Sequence, residues 1–187
     1  MADHRSAVPL DNPRWATLGT RNGPGAQRVR DALLTLLDAP SEMAVFNEMW
    51  PEICSDDTTF DAAYAAAPYL VSMAELAPMQ NAVEYLIVLG LIETYAQVVP
   101  EDLESAYRDA LRDATELALR RLDECSIDHT LRYLLGAVAA FRGRRDLAGA
   151  LVDIDLVQET CPSCGTLIFP SELQQITHRD SREVRDQ

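Results

Sequence analysis

Residues 60–99 decide the fold class, because two runs stand there back to back: FDAAYAAAPYLVSMAEL over 60–76 and NAVEYLIVLGLIETYAQVV over 81–99. In the first, Tyr64, Ala67, Leu70, Val71 and Ala74 recur at helical spacing, which predicts a helix over about Phe60 to Leu76, kinked at Pro68. The second is nearly all apolar, through Val83, Leu86, Ile87, Leu91, Tyr95 and Val98, as expected of a helix over about Asn81 to Val99 that is buried on most sides. Upstream, Val29, Leu33, Leu36 and Leu37 mark a helix from about Ala26 to Asp38. Val45, Phe46, Met49, Trp50 and Ile53 mark another, with Ser41 as its expected N-cap. A polar break over 55–59 follows. Downstream, Pro100-Glu101-Asp102 opens a fifth helix to about Glu124, with Pro in the first turn and carboxylates at the positive end of the helix dipole. Asp128 starts a sixth, carried by Leu131, Leu134, Leu135 and Val138 and stopped by Gly143, and a short seventh spans about Arg145 to Ile154. The one good strand candidate is Thr166 to Phe169.

The odd-numbered helices begin near residues 26, 61, 101 and 145, a recurrence of about 35 to 44 residues. Helix pairs at that period characterise HEAT-like solenoids, in which each pair buries a face on its neighbour. The fold expected is therefore all-α: a HEAT-like stack of helix pairs, an α-solenoid of about seven helices, with a small C-terminal CxxC element. An irregular helical bundle is the alternative. The chain divides into an N-terminal arm (1–25) anchored by Trp15, a helical-repeat domain (26–155), a CxxC knuckle-like element (156–170) and a polar tail (171–187) whose charges alternate in sign.

Charge is the second signal. The 187 residues carry 30 carboxylates against 16 basic side chains, all arginine, for a net charge of −14. Between Asp31 and Tyr107 there is no Arg, Lys or His, yet 14 carboxylates stand there. The rest of the chain balances 16 acids with 16 arginines, so this window holds the whole excess. Such a field disfavours nucleic-acid backbones and anionic lipid and attracts a basic protein partner. A solvated, solubilising surface is the plain alternative. No apolar run reaches the length of a membrane span, and nothing at the start reads as a signal peptide, so a cytoplasmic protein is expected.

Catalytic chemistry is harder to find. Cys161-Pro162-Ser163-Cys164-Gly165 is half of a zinc knuckle: two thiolates two residues apart suit one tetrahedral ion, and the glycine permits the turn. Cys54, Cys125, His129 and His178 are the available completions, none locally paired. A metal-free turn is the preferred reading, and a structural zinc on Cys161 and Cys164 the other. Asp128-His129 lacks an accompanying nucleophile and reads as a helix start. Arg142-Gly143-Arg144-Arg145 suits a helix C-terminus and is too short for a nucleic-acid footprint. Phe46 with Trp50 and Tyr64 with Tyr69 read as core aromatics.

Four strings carry a family resemblance: Asn12-Pro13-Arg14-Trp15; Phe46-Asn47-Glu48-Met49-Trp50 with Ile53-Cys54; Ala63-Tyr64-Ala65-Ala66-Ala67-Pro68-Tyr69-Leu70; and Cys161-Pro162-Ser163-Cys164-Gly165. In order and spacing, over most of residues 10–170, the chain resembles a group of bacterial HEAT-like helical-repeat proteins of unassigned function. A polar His-Gln-Gly-type segment tends to follow the Cys in that group, whereas Ser55-Asp56-Asp57 stands here. The resemblance implies an immunity role beside a bacterial toxin. The expectation is a non-catalytic module that meets a basic partner, a candidate toxin domain, through Asp56, Asp57, Asp61, Glu101, Asp102 and Glu104 at the helix-pair tips. A general HEAT-type scaffold or adaptor is the second reading, and a metal-dependent enzyme the third.

Overall fold

The computed structural model describes residues 7–55, 57–125 and 128–153, without the side chains of 128, 129 and 153, together with the backbone of 159–160 and 167–168. Among them are seven α-helices: α1 (Gln27–Asp38), α2 (Met43–Ile53), α3 (Asp61–Leu76), α4 (Met79–Thr94), α5 (Glu101–Leu122), α6 (Asp128–Phe141) and α7 (Arg145–Asp153). Three two-residue antiparallel pairs accompany them: β1 (Gly19–Thr20) with β2 (Gly23–Pro24), β3 (Cys54–Ser55) with β4 (Thr58–Thr59), and β5 (Glu159–Thr160) with β6 (Leu167–Ile168). The protein is mostly helical, as its periodicity predicts.

The centre is α3, buried without a break from Ala62 to Ala74. Its alanines leave room for neighbours on every side, so α1, α4 and α5 all pack against it. It runs on through Pro68, whose carbonyl accepts from Ser72 Oγ at 3.0 Å. Thus the alanine-rich run, more than the Leu/Ile-rich one, forms the most enclosed helix. Further pairings join α1 to α2, α5 to α6, and α6 to both α4 and α7. The α4–α6 crossing is so close at Gly90 that a Cβ there would stand 2.4 Å from the Cβ of Ala137.

Helix limits follow local chemistry. Gly143, in the left-handed region at φ 74°, ends α6 as expected, and Gly143 N and Arg144 N donate to Ala140 O and Ala139 O. Ser41 is not the cap of α2. Glu42 N donates to Ala39 O, and the tight turn so closed draws Ser41 in; the helix begins after Glu42 without a side-chain cap. Helix α4 stops at Thr94, short of the expected Val99. The backbone beyond it is engaged by side chains: Tyr64 Oη accepts from Gln97 N at 3.0 Å, and Arg145 Nη1 donates to Ala96 O at 3.1 Å. Val98, apolar but 88% exposed, belongs to this connection and not to the core.

The segment before α1 is folded onto the body. Asn12 Oδ1 caps a 3₁₀ turn over Pro13–Ala16 by accepting from Arg14 N. Trp15, 1% exposed, donates from Nε1 to Pro9 O at 3.0 Å. Tyr69 Oη reaches from α3 to Val8 O, and Arg21 N donates to Glu52 O, so the segment is tied to both α3 and α2. The aromatics pair between elements and not along them: Phe46 with Tyr85, Tyr64 with Tyr107 and Trp15 with Tyr69.

Candidate functional site

The acidic window is spread over several elements. Asp61 opens α3 and Glu75 lies near its close, roughly 20 Å away along the axis. Three groups hold eight of the 14. Glu48 and Glu52 border a groove between α1 and α2 and share it with Arg28. Glu75 lies beside Arg120 and Arg121 on a second groove. The third group is the edge formed by the β3–β4 turn and the N-terminal ends of α3 and α5.

That edge holds most of the carboxylates singled out from the sequence. Asp57 sits in the turn at φ 57°, exposed. Asp61 is the first residue of α3 and half-buried, while Glu101, Asp102 and Glu104 occupy the first turn of α5, all exposed. Arg14 gathers two of them: its Nε donates to Asp102 Oδ2 at 2.8 Å, and Asp61 is close enough to act on its charge. The hydrogen bond to Asp102 raises the Arg14 pKa, and the same bond holds the Asp102 carboxyl below its ordinary value. Glu104 is 3.9 Å from Arg108, one turn on. Folding therefore brings arginines from outside the window onto it. Asp57 and Glu101 keep no ion-pair partner among the described residues. Asp56 lies outside the described residues.

Sequence reasoning missed a buried carboxylate cluster, the one found among the described residues. Glu93, 3% exposed, accepts from Arg145 Nη2 at 2.7 Å and Nε at 3.0 Å on one oxygen, and from Tyr107 Oη at 2.7 Å on the other. Arg108 stands 3.8 Å away. Burial, then the neighbouring Glu93 charge, push the Tyr107 hydroxyl far above its ordinary pKa, so it stays a donor. Burial likewise raises Tyr64, whose ring stands edge-on to Tyr107 with centroids 5.0 Å apart. The knot fastens α4, α5 and α7 together. A Glu near the end of an apolar helix was the available signal, but the helix also carries the exposed Glu84, and the cation that pairs with Glu93 is 52 residues away.

No described cluster of three or more His, Cys, Asp or Glu could hold a metal ion. Cys161 and Cys164 lie outside the described residues. Of their suggested completions, Cys54 is buried with Sγ 3.8 Å from Thr59 Oγ1, and burial raises its thiol to about 11. No described helix is long and apolar enough to cross a membrane.

No protein-family model matches the chain, and neither a curated protein nor a solved structure matches it.

Proposed function

We propose that the protein is a non-catalytic binding module that meets a basic protein partner through the edge of Asp57, Asp61, Glu101, Asp102 and Glu104, with Asp56 beside them in sequence. One observation carries the reading: Arg14 joins Asp61 at the start of α3 to Asp102 in the first turn of α5, where Glu101, Asp102 and Glu104 stand exposed and Arg14 and Arg108 offset them only in part, while Asp57, also exposed, lies four residues before α3 opens. Two helix N-termini converge there. Their dipoles favour carboxylates, so a dense anionic edge costs the fold little. Such an edge accelerates encounter with a cationic partner and suppresses anionic ones.

The frame in this proposal is a short HEAT-like stack. Packing of α1 on α3 and α3 on α5 in one row, with α4 on α6 in a second, supports it. The specific form is an immunity protein that covers the active site of a bacterial toxin; a general HEAT-type adaptor is the second reading. Affinity capture from the native host, at low and at high salt, tests the proposal. A basic protein retained at low salt, released at high salt and lost with the Asp57→Arg, Glu101→Arg, Glu104→Arg triple variant is the expected result. Capture unchanged by that variant overturns it. A toxin gene directly upstream separates the immunity reading from the adaptor.

A further inference from the structure

The basic turn after α6 divides its arginines. Arg145 faces inward to Glu93, and Arg144 lies 3.5 Å from Asp146. Arg142, exposed, borders a groove between α5 and the end of α6, of about 330 Å³. Arg108 and Arg112 line the same groove, one turn apart on α5. Its floor is Leu111, 5% exposed, with Phe141 at the α6 side and Thr115 below. Thr115 Oγ1 donates its proton to Leu111 O at 2.7 Å, so that side chain offers the groove no free donor. The carboxylates facing this place are Glu116 on its rim, Asp109 against Arg112, and Glu93 and Glu104 at 3.8 and 3.9 Å from Arg108. Arg142 has no ion-pair partner among the described residues.

We propose that this groove docks a short acidic segment of a protein partner, with an aliphatic side chain on Leu111 and Phe141 and carboxylates on Arg112 and Arg142. Among the side chains that line the groove, three guanidinium groups stand against one carboxylate, Glu116, and Arg142 has no ion-pair partner among the described residues, in a chain whose net charge is −14. Arginine offers paired donors that match a carboxylate. The groove is open along α5, which suits an extended segment lying in it better than an enclosed small molecule. A nucleic-acid strand is disfavoured, since three arginines are too few for its footprint and the overall charge repels it. The groove shares Arg108 with the acidic edge through Glu104, but variants at Arg112 and Arg142 leave the edge's carboxylates in place, so the two proposals are tested separately.

Amide-resonance titration of the full chain tests it, with a blocked Asp-Leu-Glu-Leu-Asp peptide as probe and Asn-Leu-Gln-Leu-Asn as control. The expected result is saturable shifts at Leu111, Thr115 and Phe141, at least about 10-fold weaker for the control and for the Arg112→Ser, Arg142→Ser variant. Both arginines are exposed, and each single variant, expected about 3-fold weaker, provides a check should the double variant fold poorly. No shifts at millimolar peptide, equal shifts with the neutral control, or equal binding by the variants would overturn the proposal. A dimer that forms without peptide and is lost in the variant would assign the groove to a second copy and overturn it as well.

Discussion

Replacing Glu93 by Ala should loosen the joint between α4, α5 and α7 more than any surface change. Stranding one partner of a buried ion pair costs about 3–5 kcal/mol. Arg145 keeps 40% of its side chain exposed and can recover water, which brings its share to about 1–2 kcal/mol. Tyr107 has no such recourse. It is 0% exposed, and its hydroxyl loses its acceptor, a further cost of about 1–3 kcal/mol. The sum, about 2–5 kcal/mol, lowers the melting midpoint by roughly 5–15 °C in a chain of this size. Glu93→Gln keeps an oxygen for Tyr107 and should cost about half as much. Urea and thermal melts followed by far-ultraviolet circular dichroism read the effect. A double-mutant cycle with Arg145→Ala should give a coupling of about 1–2 kcal/mol. Melting within 2 °C or so of wild type, or simple additivity in the cycle, would refute the reasoning.

Three further expectations follow from the packing and the charges. Gly90→Ala forces a methyl against Ala137, whose Cα would lie 2.5 Å away, and should cost about 2–3 kcal/mol in urea unfolding; a neutral outcome would mean that the α4–α6 crossing is looser than described. Trp15→Ala should cost about 3–5 kcal/mol, because the indole is buried and holds the N-terminal segment through Pro9 O; a loss under about 1 kcal/mol would show that the segment does not pack on the body. Arg14→Ala should cost a few tenths to about 1 kcal/mol near pH 6, the partners being largely exposed. The Asp102 carboxyl is held below its ordinary value of about 4 by Arg14, so its stabilisation is complete above that value and is lost as pH falls through the lowered one. The gap between variant and wild type should therefore close on acidification from pH 6 to about 2.5, and a gap that widens contradicts the assignment.

Much of the frame was legible because apolar spacing and punctuation agree. Val29, Leu33 and Leu36 placed α1, Gly143 placed the end of α6, and Pro100 with the acids after it placed the start of α5. The misses have a common cause: partners distant in sequence. The end of α4 depends on Tyr64 and Arg145, which take over backbone groups that a continuing helix would have used itself. Two segments of Gly, Pro and polar residues, 13–24 and 54–59, gave no period to read, yet form a 3₁₀ turn and two short hairpins. The charge window is a different case. Composition along the chain says nothing about which end of a helix a carboxylate reaches, or that Arg14, Arg28 and Arg108 fold back onto the same region.

Association kinetics with the captured basic partner test the central reading most directly. Rapid-mixing rates for the native chain should fall steeply as ionic strength rises from about 20 to 500 mM, and the Asp57→Arg, Glu101→Arg, Glu104→Arg variant should associate about 10-fold or more slowly at low salt with little remaining salt dependence. Equal rates for the two proteins, each with the same salt response, would contradict the assignment of the edge at α3 and α5.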